Sequence, residues 1–154
     1  MSEQAFFWLD KAAENGSFAA RYVRGGMYCE GLGCKKDIEK AEKDLQYVYS
    51  NCKMAKLASD AGVSLALLYK LEYNSPDYLR KAEVILKELA ERGHPEAQYE
   101  YSCILCNKGD SNFIYWLDHR QHMMKTAPAH PRMMYHISVV FRFRGQSLEI
   151  PASY

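Results

Sequence analysis

No stretch of this 154-residue chain stays apolar for the ~18–20 residues a bilayer span needs, so no membrane role is expected. The opening residues, Met1 to Trp8, hold one acid, Glu3, and no basic cluster, so no secretory leader is expected there. A dominant charge is missing too. Lys and Arg number 20 against 19 Asp and Glu, which leaves no global field to attract nucleic acid. HExxH, GxSxG, P-loop and GxGxxG patterns are all absent, so neither a catalytic set nor a cofactor is expected. Five cysteines is an odd number for a disulfide framework, and without an export signal they read as reduced thiols in a cytoplasmic protein.

Two motifs hold metal-capable or redox-capable side chains. Cys103-x-x-Cys106 has no second CxxC to complete a zinc set and sits inside a helical pattern, where small buried apolar residues are the better reading. His119-x-x-His122 has only Asp118 beside it, too thin a set for a metal, and reads as solvated or capping histidines. No metal site is assigned.

What the chain does have is helical periodicity and repetition. Leu79, Ala82, Ile85, Leu86, Leu89 and Ala90 follow helical spacing, and Lys81, Glu83, Lys87, Glu88 and Glu91 take the other side. Ser75-Pro76-Asp77 opens that helix and Gly93 closes it. The same punctuation predicts helices over about residues 3–15, 18–30, 37–51, 56–73, 77–92, 95–107, 111–126 and 131–142. Residues 51–60 have no Gly or Pro stop and imply either an insertion or a longer third helix. Residues 138–144 are β-branched and partly alternating, compatible with strand as well as helix. His94-Pro95 with Tyr99 and Ser102 returns as His130-Pro131 with Tyr135 and Ser138, a period of 36 residues. Such periods mark stacked supersecondary units rather than one irregular globule. The repeat region is expected to fill residues 1–144, with 145–154 a loose tail.

One full unit resembles a known family. Ala20, Tyr22, Gly25, Met27, Tyr28, Gly31, Gly33, Asp37 and Lys40-Ala41, preceded by Trp8-Leu9, Lys11-Ala12-Ala13 and Gly16, resemble the SEL-one-like repeat, a relative of the tetratricopeptide repeat. Degraded copies follow. Ala61, Leu65, Ala66 and Tyr69 with Lys81-Ala82 replace the glycine by alanine; Ala97, Tyr99, Ser102 and Leu105, then Met133, Tyr135, Ser138 and Phe141, replace it by serine. The small residues Ala20, Gly25, Ala61, Ala66, Ala97 and Ser102 are expected at close helix contacts, with Tyr28 and Tyr69 between hairpins.

The resemblance implies an all-α fold, a right-handed α/α superhelix of about four antiparallel hairpins, that is non-catalytic and binds another protein on its concave side. The first helix of each pair would line that side. The residues it puts there are Tyr22, Glu30, Asp60, Lys70, Glu96, Tyr99, Asn107, Arg132, Tyr135 and Arg142. Arg24 joins them as an oddity: its slot is normally leucine, so the cation must either reach solvent or find a partner. From Arg120 onward there are five Lys/Arg against one acid, Glu149, which favours a partner with an acidic patch. The roles the resemblance brings into view are a bacterial immunity protein that clamps a toxin domain and, in competition, an adaptor in a signalling or envelope-assembly complex. A chain opening and closing on unpaired helices also leaves room for self-association.

Overall fold

The computed structural model describes residues 2–117, and among these every regular element is helical. The order is α1 (Ser2–Glu14), α2 (Phe18–Glu30), α3 (Ile38–Asn51), α4 (Ala55–Leu68), a π-helical turn (Tyr69–Tyr73), α5 (Pro76–Glu91) and α6 (Pro95–Lys108). Helix resumes over residues 113–117. The chain divides into two compact units, Met1–Leu89 and Ala90–Tyr154. The expectations for residues 118–154, including His119, His122 and the helix-or-strand question at 138–144, lie outside the described residues.

Local chemistry sets the boundaries. Ser17 and Asp37 begin α2 and α3 by accepting, through their side chains, the backbone N–H of Ala20 and Lys40. Ser75 does the same for Tyr78 at the start of α5, over 3.4 Å. His94, not an ordinary capping residue, caps α6: its Nδ1 accepts the N–H of Ala97 at 3.3 Å. The turn after α2 needs two left-handed residues, Gly31 at φ 70° and Gly33 at φ 69°. Gly31 donates its N–H to Met27 O at 2.8 Å and so ends the helix. At Gly33 the backbone of Ser2 comes so close that no side chain fits between them.

Within the first unit α1 packs on α2, α2 on α3 and α3 on α4, through connections of a few residues that force neighbours to run antiparallel. All six small residues of the repeat pattern are buried. Gly25 lets α3 close in: a methyl group there would meet Leu45 Cγ at 3.2 Å. Leu45, Leu65, Leu86 and Leu89 are fully buried, each a contribution of about 1.5–3 kcal/mol. In the second unit Gln98 Nε2 donates to Ala90 O at 3.1 Å and fastens α6 to the last turn of α5.

At residues 51–60 the third helix is not lengthened. α3 ends at Asn51, and α4 starts at Ala55 after a three-residue link. Cys52 stops α3 in an extended conformation (φ −72°, ψ 127°) while still donating its N–H to Val48 O, so no glycine is needed. The fourth helix is also not uniform to residue 73. Its last turn widens to π geometry and stops at Asn74, which takes the left-handed conformation at φ 43°.

Candidate functional site

Two helices carry the face where the sequence placed the docking surface. On α2 the residues Ala19, Val23, Gly26 and Glu30 recur at intervals of four, three and four, and all are exposed. On α4 and its π turn, Asp60, Ser64, Leu67 and Leu71 have the same spacing; the first three are half-buried and Leu71 is exposed. Tyr22 and Ser64 share a hydrogen bond of 3.3 Å between their hydroxyls, which holds these two stripes side by side. A methyl group at Gly26 would meet nothing within 4 Å, so the α2 stripe is low there and open. The middle of the face is apolar, from Val23, Leu67 and Leu71, and carboxylates stand at both ends, Asp60 at one and Glu30 with Glu72 at the other. Lys36, from the loop after α2, donates to Glu72 at 3.3 Å and ties that loop to the π turn. Between Glu72 and Glu30 lies Cys29. Burial first, then those two carboxylates, push its thiol up to about 11, which keeps it protonated near neutral pH and a poor nucleophile.

Behind this face sits Arg24. It is only 7% exposed, and its guanidinium is consumed by the chain itself. Nε and Nη2 donate to the two oxygens of Asp44 at 2.8 and 2.7 Å, a bidentate pair with a carboxylate that is also buried. Nη1 donates to Asp10 at 2.8 Å and Glu14 at 2.9 Å. The hydrogen bond to Asp44 is the largest of the effects that raise the affinity of this arginine for its proton. One cation on α2 thus joins α1 to α3. Of the two outcomes open to an arginine in a leucine slot, the chain adopts pairing, and with its own carboxylates.

A third polar cluster lies where the π turn meets α3. Glu42 accepts from Tyr69 at 3.0 Å and from Tyr73 at 2.5 Å. Tyr73 stacks on Tyr78 at 4.2 Å, and the Lys81 ammonium stands 4.7 Å from the Tyr78 ring centre. Burial and then Glu42 raise Tyr69; for Tyr73 the bond to Glu42 comes first.

The helical pairs and their register have a counterpart among solved structures. The chain superposes on a Sel1 repeat protein from Oxalobacter formigenes with a TM-score of 0.69 over 97% of its own length, at 19% sequence identity. The fold is a Sel1-repeat fold. The chain spans 58% of the length of that protein. No protein-family model matches the sequence, and no curated protein matches it.

Within the Sel1 framework the predicted docking residues separate by exposure. Tyr22, Asp60 and Lys70 are half-buried, and Glu30, Glu96 and Asn107 are exposed. Tyr99 is 2% exposed, and Cys103 and Cys106 on the same helix are buried too. Arg132, Tyr135 and Arg142 lie outside the described residues, so the expected basic stretch does too. The structure brings Tyr22 alongside Ser64, a residue the sequence reading passed over. Ser64 was legible in principle, four residues after Asp60 and three before Leu67 on one Sel1 helix face. The carboxylates around Arg24 were not legible, because they come from two other helices.

Proposed function

We propose that this chain is a non-catalytic protein-binding module that receives its partner on the exposed face of α2 and α4. The observation that carries this reading is the Tyr22–Ser64 bond, which unites an open, largely apolar strip with carboxylate ends into one surface. Apolar centres with polar borders suit protein recognition. The thiol nearest the face, Cys29, is held protonated, which also weighs against thiol chemistry there. Within that reading we favour an immunity protein of the bacterial cytoplasm that occludes a toxin domain; its support is the family likeness. An acidic patch on the partner would answer Arg132 and Arg142, whereas Glu30 and Asp60 suit basic side chains and Val23, Leu67 and Leu71 apolar ones.

The test is affinity capture from the native cell followed by mass spectrometry, with the chain unaltered and with Gly26→Trp. Gly26 is exposed and a Cβ there would meet nothing within 4 Å, so a side chain can leave the helix at that point; circular dichroism checks that the variant keeps its fold. The reading expects one tightly held protein that the variant loses; a folded Gly26→Trp chain that keeps every partner overturns it. Several weakly held partners in place of one would favour the adaptor role.

A further inference from the structure

Leu71, in the π turn, stands on the docking face with its side chain in solvent. It is 69% exposed, and among the described residues no large apolar side chain is more so. Its place is set from outside the turn. Glu42 on α3 accepts from Tyr69 at 3.0 Å and from Tyr73, and Lys36, in the loop after α2, donates to Glu72 at 3.3 Å. A leucine presented on so tethered a turn offers contact area that is already ordered, which lowers the cost of binding.

The carboxylates beside Leu71 indicate what such a surface receives. Glu30 is exposed and makes no hydrogen bond or ion pair among the described residues. Glu72 is paired with Lys36, and both side chains of that pair are open to water, 53% and 36% exposed. The Cys29 thiol feels all three groups: after burial, Glu72 and Glu30 push it up, and Lys36 opposes them. One ammonium thus serves two carboxylates. Its backbone is fixed, since Asp37 donates its N–H to Tyr28 O at 2.9 Å and a methyl group at Gly31 would lie 3.3 Å from Lys36 N. Only the side chain of Lys36 has to swing for the pair to open, and an exposed pair of this kind holds weakly.

We propose that the partner offers a protein segment in which a lysine or arginine accompanies an apolar side chain: the apolar group lies on Val23, Leu67 and Leu71, and the cation enters between Glu30 and Glu72 in place of Lys36. Charge complementarity selects this occupant. An acidic segment would meet two carboxylates and one cation already engaged. Lys36 is then an internal competitor that a weakly basic segment fails to displace, so it sharpens the choice of partner. The proposal rests on the reading of the α2–α4 face as the docking surface and adds the chemistry of what docks there.

The test is selection of random peptides displayed on phage against the full 154-residue chain, followed by affinity measurement of the recovered peptides by fluorescence anisotropy. Peptides that Gly26→Trp no longer binds are those seated on the face, and they should carry Lys or Arg beside apolar residues. Glu30→Gln combined with Glu72→Gln should weaken them about three- to tenfold, the scale of one or two exposed charge pairs, and Lys36→Met should tighten them about two- to fivefold. Circular dichroism should show both variants folded, because all three side chains are exposed. Face-bound peptides without a basic residue, an unchanged affinity in the Glu30→Gln, Glu72→Gln chain, or a Lys36→Met chain that binds no tighter overturns the proposal and leaves the docking face standing. A library that yields no peptide sensitive to Gly26→Trp overturns the face and the proposal together.

Discussion

Arg24 shows how much one side chain decides here. Two of its nitrogens satisfy Asp44, which is buried with it, so taking the arginine away leaves a charge in the interior with its main counter-ion gone. We expect Arg24→Leu to lower unfolding stability by about 3–5 kcal/mol, the cost usual for breaking a buried pair from one side. Arg24→Leu with Asp44→Leu should recover most of that loss, because the next unit fills the same slots with Leu65 and Ile85. Urea denaturation of the two single variants and the double measures both numbers. A double variant no more stable than the worse single would show that the pair is not the unit that matters.

The tyrosines on Glu42 give a second residue-scale prediction, with its sign fixed by their chemistry. Both hydroxyls are protonated donors in the fold and give up the proton less readily than the ordinary tyrosine at 10.0. Below that value folded and unfolded chains hold the protons alike. Above it the unfolded chain releases them first, so stability falls as pH rises. Replacing Tyr69 and Tyr73 with Phe should flatten the fall above about pH 10, measured as the urea midpoint against pH. An unchanged slope would show that the bonds to Glu42 do not select the protonated form.

At the scale of elements, two glycines in helices make opposite demands. Gly62 in α4 is a point of contact: a methyl group there would sit 2.7 Å from two ring carbons of Tyr49 and 2.9 Å from Leu89 Cδ1. Gly26 in α2 faces open space. Gly62→Ala should therefore cost about 1–3 kcal/mol by overpacking, while Gly26→Ala should add about 0.5–1 kcal/mol from helix propensity. Thermal unfolding of the two variants checks both signs. Most element boundaries were legible in the sequence, because Ser17, Asp37, Ser75 and Pro95 at the starts and Gly16, Gly31, Gly93 and Gly109 at the ends act locally. Three features escaped. Cys52 stops α3 by backbone conformation alone, His94 caps with a ring nitrogen, and the π turn at Tyr69–Tyr73 is seated on Glu42 from another helix. The last of these is a tertiary contact that no local pattern reports.

For the whole molecule, the small residues of the repeat pattern were legible at fixed spacing, and all six are buried in the fold. The docking face was read less completely. Family geometry points to one position per unit, but Tyr22 is half-buried beside Ser64 while Tyr99, in the same slot, is buried. Burial at a given slot depends on what the neighbouring helices supply, and that is absent from the slot's own sequence. The central claim is that a protein partner lies on the α2–α4 face. A photo-crosslinking residue placed at Gly26, and in a second protein at Lys43 on the exposed side of α3, tests it most directly in the native cell. The account predicts a covalent adduct with one partner protein from position 26 and none from position 43; adducts from 43 alone would contradict it.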